Sequence, residues 1–306
     1  MEPCETVPDF RQDYLSHRDI NDYLDSLQAK FPKLVRVKTI GYTFEKRALK
    51  SIHISVSSLQ VRKIILIDGG MHGREWCTIS TALYCASQLT ENFDANKDLL
   101  DIFDFVIVPC INADGYEYSR RYKKMWRKSR RPIHFSRFIG VDCNRNFSVG
   151  WDEACQKTSS CTFRGERPFS EPETRIIKYL MHSLKPTFYL TLHSFSKSIM
   201  FPYAFTKTLP ENWSSLRNLA RAGYLAIKKE TGTKFRIGSV SSLVKNSKSS
   251  GGGSLDYAHK TAKIPFVIVM ELSGGGFQPS NTAIYGIICE CWIGIRAMCS
   301  FLKNKT

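Results

Sequence analysis

A histidine and a glutamate lie three residues apart in the stretch GGMHGREWCTIS, which covers residues 69–80. The stretch follows the apolar run KIILID, and its paired glycines suit an abrupt exit from a strand. His72 and Glu75 then fall one helical turn apart, so both side chains can face one object. This spacing favours a cation site. The alternative is a histidine that caps a helix and a glutamate on its solvent-exposed face.

Two further apolar runs end in groups that such a site would need. The run at 187–192 ends in His193, and the run at 265–270 ends in Glu271. In an open α/β sheet, sites form beyond the carboxyl ends of the strands, so we expect these side chains to reach the edge that carries the first pair. Two histidines and one glutamate leave zinc an open position for water, which is typical of a catalytic site.

The polar stretch VDCNRNF, residues 141–147, supplies groups that could support this chemistry. Asp142 can accept the outer ring proton of a ligating histidine and so fix its tautomer. Asn144 and Arg145 place an amide beside a planar guanidinium, and this combination suits a carboxylate ligand.

A basic segment precedes that stretch. RRYKKMWRKSRR, residues 120–131, has eight basic residues in twelve, and the whole chain has 44 Lys+Arg against 28 Asp+Glu, a net charge of +16. This charge favours acidic surfaces, glycans or nucleic acid as neighbours, although the segment can also be a solvated positive face. Trp126 and Tyr122 are its only aromatic residues, so we expect no specific nucleic-acid binding.

Alternating apolar runs and helical patterns predict the elements that position these groups. Ser16 and Asp19 have capping-box spacing before a helix over 16–30, and Ser170 and Glu173 have it before another. Strands are predicted at 49–56, 62–68, 103–112, 187–195 and 265–272, and further helices at 76–91, 171–183, 211–230 and after Pro279.

The fold class that these elements predict is α/β. Residues 1–306 form a single domain, with a central mixed, mostly parallel twisted sheet flanked by helices on both faces. The low-complexity stretch SLVKNSKSSGGGS, residues 242–254, is interpreted as a mobile surface loop. No run of about 18 apolar residues is present, so we expect no membrane span.

Cysteine usage and the N-terminus bear on the compartment. Ten cysteines favour an oxidising environment, and Cys155 and Cys161 lie in a polar loop where a bridge can form. Cys77, Cys85 and Cys110 lie in apolar contexts that predict buried thiols. The polar N-terminus lacks the apolar core of a signal peptide.

Six motifs, in this order, give the chain a family resemblance: HGREW, MWRKSR, VDCNRNF, LHSFS, GGGSLDY and VMEL. The chain resembles the zinc metallocarboxypeptidases of the carboxypeptidase A/B family, from the helix at 16–30 through to Glu271. The resemblance implies a secreted, monomeric peptidase domain without its pro-domain. It also implies one zinc ion (Zn²⁺) and hydrolysis of the C-terminal peptide bond of peptides and proteins.

The resemblance further implies a role for each matching residue. The zinc ligands would be His72, Glu75 and His193, with Asp142 orienting His72. The catalytic residues would be Glu271, as general base, and Arg127, which would stabilise the oxyanion of the scissile carbonyl. Asn144 and Arg145 would bind the terminal carboxylate of the substrate, and Arg74 would bind further along the peptide.

The chain departs from the family pattern at three positions. Lys248 stands where the family has a mobile tyrosine, and it would either contact the substrate carboxylate or extend into solvent. Phe195 lacks the hydroxyl that is usual after the zinc-binding His-Ser pair. Phe138 replaces a common disulfide cysteine, which leaves Cys161 to pair elsewhere, for instance with Cys155.

The residue after the Gly-Gly-Ser triplet sets substrate preference in the family, and here it is Leu255. An apolar residue at this position implies an A-type enzyme that prefers aromatic or aliphatic C-terminal residues. Asp256 would give B-type preference for Lys or Arg if the loop shifted by one residue. The remaining alternative is a catalytically weak protein that binds peptides or acidic glycans.

Overall fold

The computed structural model describes residues 9–56, 62–244 and 250–304. The helices are α1 (His17–Lys30), α2 (Trp76–Thr90), α3 (Phe93–Leu100), α4 (Ala113–Arg121), α5 (Pro172–Leu184), α6 (Trp213–Thr231), α7 (Val240–Leu243), α8 (Ser254–Lys260) and α9 (Asn281–Lys303). The strands are β1 (Val35–Tyr42), β2 (Ala48–Ile54), β3 (Lys63–Asp68), β4 (Phe103–Val108), β5 (Phe188–His193), β6 (Ser198–Phe201), β7 (Arg236–Ser239) and β8 (Phe266–Glu271).

The strands form one mixed sheet in the order β1-β2-β4-β3-β5-β8-β6-β7. The four inner strands, β4, β3, β5 and β8, run parallel, whereas β1, β2 and β6 pair antiparallel with their inner neighbours. Every residue of β5 is buried, as expected for a parallel strand covered on both faces. The predicted α/β domain with a central mixed sheet is confirmed, and the carboxyl ends of β3, β5 and β8 share one edge.

Several short elements were beyond what the sequence pattern predicts. Strands β6 and β7 have four residues each, which is too few to show the alternation of apolar and polar residues that identifies a strand. The strand predicted over 103–112 ends at Val108, because Asn112 then caps α4 by accepting a hydrogen bond from the Gly115 amide at 2.9 Å.

The two predicted capping boxes have different outcomes. At α1, Ser16 Oγ accepts from the Asp19 amide and the Asp19 carboxylate accepts from the Ser16 amide, so this prediction is confirmed. At α5 the prediction is wrong. Ser170 Oγ donates to the carboxylate of Glu171 instead, at 2.9 Å, and Glu173 is buried without a side-chain hydrogen bond.

Helix α9 is the one helix, among the described residues, that is long and apolar enough to cross a membrane by length and composition alone. This departs from the expectation that no segment qualifies. However, 56% of its most apolar window is buried inside the protein, where it packs against α6 and α2. Its apolar character is that of a core helix.

The stretch 242–254 is not a surface loop throughout. Its last five residues are buried. The Gly252 amide donates to the Val149 carbonyl at 2.7 Å, and a Cβ on Gly251 would collide with the carbonyl oxygen of Gly150. The glycines therefore permit close approach between two backbone segments, a role that composition alone does not separate from mobility.

The nine cysteines in the described part of the chain are all free thiols. The bridge expected between Cys155 and Cys161 is therefore not formed in this structure. Cys77, Cys85 and Cys110 are buried, as predicted, and burial raises the pKa of each thiol.

Candidate active site

The exit from β3 explains the glycines that precede His72. Gly70 has a φ of +65°, and a Cβ on Gly69 would lie 2.8 Å from the carbonyl oxygen of Thr78. The chain therefore turns sharply into α2, for which Glu75 is the N-terminal cap residue. The His72 and Glu75 side chains therefore lie at the edge of the sheet where the parallel strands end.

A cluster of three side chains forms at this edge. His193 ends β5 and lies directly across from the end of β8. The distance from His72 Nδ1 to Glu75 Oε1 is 2.7 Å, from His193 Nδ1 to Glu75 Oε2 3.0 Å, and between the two Nδ1 atoms 3.2 Å. One potential ligand atom from each of the three buried residues lies within 4.8 Å of the other two.

Polar groups lie on the far side of each imidazole. His72 Nε2 lies 3.2 Å from Asp142 Oδ1 and donates to it. His193 Nε2 lies 3.3 Å from Thr191 Oγ1, which donates to Asp68 at 2.7 Å, and 3.4 Å from the amide nitrogen of Asn144. The Nδ1 atoms of both rings face the Glu75 carboxylate, and as neutral imidazoles they would offer their lone pairs to one shared cation. This donor set fits zinc.

The surroundings of Glu75 favour its charged form. Burial alone would raise the pKa of this carboxyl, but the His72 and His193 rings hold it far below its ordinary value. Glu75 is consequently ionised at neutral pH, as a metal ligand must be.

Asp142 orients a second side chain besides His72. Its Oδ2 accepts from Arg127 Nε at 2.9 Å, while Oδ1 also accepts from the Asn144 amide at 2.9 Å. Burial opposes ionisation, but Arg127 and His72 hold the pKa of Asp142 well below its usual range. One buried carboxylate therefore positions both a candidate metal ligand and a guanidinium that faces the cavity.

Glu271 ends β8 and differs from Glu75 in its surroundings. Its carboxylate lines the cavity and makes no hydrogen bond or ion pair with a described residue, whereas both oxygens of Glu75 are engaged. Burial, reinforced by the nearby Glu75 charge, raises the pKa of Glu271 to about 7. A carboxylate that is free and has this pKa can accept and return a proton near neutral pH.

These groups open into a cavity of about 290 Å³. Its lining includes the His72, Glu75 and His193 cluster. Six non-aromatic apolar side chains also line it: Met200, Ala204, Val240, Val244, Leu255 and Val269. Apart from Leu255, sequence reasoning missed these wall residues, because those on β6, α7 and the adjoining turns have no chemical motif, and Val269 reads as an ordinary core position of β8.

Arg145 brings to the cavity a positive charge that Asp142 and Asp256 attract without forming an ion pair. Its Nη1 donates to the Asn144 carbonyl at 2.8 Å, its buried Nε has no partner, and no carboxylate in the described ranges forms an ion pair with it. Asn144 lies beside it, held by a hydrogen bond from the Ser254 amide to its Oδ1 at 3.0 Å. This guanidinium is suited to a carboxylate that arrives with a ligand.

Leu255 and Asp256 both line the cavity, but only the Asp256 side chain is held by hydrogen bonds. Leu255 is 3% exposed and contributes to the apolar wall. The Asp256 carboxylate accepts hydrogen bonds from the backbone amides of Ala204, at 2.9 Å, and Phe205, at 3.0 Å. Burial nevertheless raises the pKa of Asp256 to about 7, so its charged form is costly there.

Aromatic rings form the mouth of the cavity. Phe195 and Phe277 contact each other with ring centroids 4.9 Å apart, and both line the cavity. Arg74 does not line it; its guanidinium lies 4.0 Å above the Phe277 ring, and its carbonyl accepts from Gln278 Nε2 at 2.8 Å. Phe277 was not predicted. Lys248 lies outside the described residues.

Known proteins resemble the chain in both sequence and structure. The zinc carboxypeptidase family profile matches residues 20–292. A carboxypeptidase B of Astacus astacus is 32% identical across 95% of this chain and 97% of its own length. The inactive metallocarboxypeptidase ECM14 of Saccharomyces cerevisiae is 31% identical, over 96% and 72% respectively. The crystal structure of a carboxypeptidase A from Helicoverpa armigera, 27% identical, matches with a TM-score of 0.91 and covers 99% of this chain and 77% of that one.

Proposed function

The chain belongs to the zinc carboxypeptidase family, and from that premise we propose that it releases apolar or aromatic residues from the C-termini of peptides and proteins. The observation that carries the proposal is the position of Arg145. Its guanidinium forms no ion pair with a described residue and lines the same cavity as the His-Glu-His cluster and the apolar side chains. A terminal carboxylate bound there would present only the last peptide bond to the cluster.

Each polar group then has one task. His72, Glu75 and His193 would hold one zinc ion, which, when bound, polarises a carbonyl and lowers the pKa of water. Glu271 would take a proton from the attacking water and return it to the leaving amine. Arg127 would donate hydrogen bonds to the negative charge that develops on the scissile carbonyl.

The apolar wall supports A-type preference. Burying an aliphatic or aromatic side chain against Leu255 is worth about 1.5–3 kcal/mol, whereas an unpaired charge from a C-terminal Lys or Arg costs several kcal/mol. B-type preference is the second candidate, because the Asp256 carboxylate lines the same cavity. Its oxygens are already engaged by two backbone amides, which makes it a poorer partner for a basic side chain.

Other features of the protein are proposed on the resemblance and composition. We propose a monomeric, extracellular peptidase, in which acidic glycans can bind the basic surface and Lys248 contacts the substrate carboxylate. An oxidising compartment would also allow Cys155 and Cys161 to pair. A single peptidase domain over residues 1–306 agrees with the family match, which spans most of the chain.

The proposed function predicts the residue that is released from peptides identical except at their last position. We expect kcat/KM for C-terminal Phe or Leu to exceed that for Arg or Lys by about 10- to 200-fold. Leu255→Asp should reverse this ratio, because the new carboxylate would pair with a basic side chain. Leu255→Asn is the matched uncharged control and should weaken Phe release without admitting Arg. Faster release of Arg than of Phe by the unmodified protein would contradict the proposal.

A further inference from the structure

A second cavity adjoins the active site at Arg127. It has a volume of about 370 Å³, and Arg127 lines it as well as the first cavity. We name it the basic groove; its lining residues are Tyr118, Lys123, Met125, Trp126, Arg127, Lys128, Arg130, Arg137, Phe138, Ile139, Ser159 and Cys161. The two cavities therefore meet at Arg127, a residue next to the candidate metal cluster.

The charged side chains that line the basic groove are all cationic. The lining includes five cationic side chains and, among the residues described, no aspartate or glutamate. Lys123 and Arg137 form no ion pair with any residue in the described ranges, and Arg130 meets Glu45 only at 3.8 Å. Arg127 is paired with Asp142, but the charges of Lys123 and Arg137 have no ion-pair partner among the described residues, so the groove keeps a net positive charge beside the active-site cavity.

Packing holds part of this charge in place before any ligand arrives. The Arg130 guanidinium lies 3.6 Å above the Tyr118 ring and 4.7 Å from the Trp126 ring. Lys128 is buried and donates to the Thr158 carbonyl at 3.1 Å. A ligand would not have to order these side chains on binding, which favours affinity.

We propose that the basic groove binds acidic residues of the peptide substrate on the amino side of the scissile bond. The preferred substrates would then combine an apolar C-terminal residue with Asp or Glu further upstream. This inference rests on the proposed function. A peptide fits better than a glycan, because the groove shares Arg127 with the active-site cavity and its apolar members, among them Met125, Phe138 and Ile139, can pack side-chain stems.

The test uses octapeptides that end in Phe and carry Glu, Gln or Lys at the upstream positions, together with a blocked dipeptide that ends in Phe. Each contact between exposed charges should raise kcat/KM by about two- to fivefold. With more than one such contact, kcat/KM for the Glu peptide should exceed that for the Gln peptide by about tenfold at low ionic strength. The preference should disappear in about 1 M NaCl, where the Debye length is near 3 Å.

Two variants make the test specific. The double variant Lys123→Gln, Arg137→Gln should bring the ratio between Glu and Gln peptides close to one. Lys229→Gln removes an exposed charge that lines neither cavity and should keep the ratio. Equal rates for the Glu, Gln and Lys octapeptides would overturn the inference while dipeptide hydrolysis still supported the proposed function.

The remaining outcomes separate the two claims. Retention on immobilised heparin together with equal octapeptide rates would also overturn the inference, because the groove would then serve a glycan. If the dipeptide is not hydrolysed, the proposed function fails. Calorimetric binding of the same octapeptides then decides the inference: tighter binding of the Glu peptide supports a groove for acidic peptides, and equal binding overturns it.

Discussion

Substitution of Glu271 by Gln should lower kcat by about 10²- to 10⁴-fold, the range over which a positioned general base contributes. The change preserves the shape of the side chain but removes its ability to take a proton. KM and zinc content should stay close to those of the unmodified protein, since Glu271 lies outside the His-Glu-His cluster.

The measurement is steady-state hydrolysis of a peptide ending in Phe, with zinc quantified in the same preparations. Glu75→Gln is the matched control: it makes the same chemical change at a carboxylate that contacts both histidines, and it should lower zinc content. Appreciable turnover by the Glu271→Gln variant would exclude the general-base role.

Removal of metal by a chelator should abolish hydrolysis, and one equivalent of Zn²⁺ should restore it. The physical reason is that two imidazole nitrogens and an ionised carboxylate converge within 4.8 Å, a donor set that fits zinc. The chelated protein should also unfold at a lower temperature, because an ion that binds only the folded state stabilises it.

Calorimetric unfolding and metal analysis check this second prediction independently of activity. His193→Ala provides the control, since it removes one of the three groups and should not regain activity with one equivalent of Zn²⁺. Full hydrolysis by a protein shown to be free of metal would contradict the assignment.

The polar half of the site could be predicted because its residues end strands or occupy motifs. His193 and Glu271 end β5 and β8, and parallel strands deliver their ends to one edge whatever their separation in sequence. The apolar half could not be predicted in this way. Met200 and Val240 belong to a four-residue strand and a four-residue helix, whose apolar residues look like any other core positions.

Errors of interpretation arose where one residue type has two physical uses. Gly251 and Gly252 signal flexibility in composition, yet here they allow backbone segments to touch. Ser170 has the spacing of a helix cap, but its hydroxyl hydrogen-bonds to Glu171 and Asn146 instead. Tertiary contacts decide between such uses, and they are absent from a local pattern.

Asp142 makes the catalytic contributions of its two partners interdependent. One carboxylate holds both His72 and Arg127. A substitution of either partner leaves an oxygen of Asp142 free, and this changes how the carboxylate holds the other partner. In a double-mutant cycle, the losses of kcat/KM caused by Asp142→Asn and Arg127→Gln are expressed as free energies. Their sum should exceed the loss in the double variant by a coupling energy of about 0.5–3 kcal/mol. Strictly additive losses would mean that the two residues act separately. Substitutions near this carboxylate would thus be tolerated or rejected as combinations, which links the evolutionary histories of metal binding and charge stabilisation.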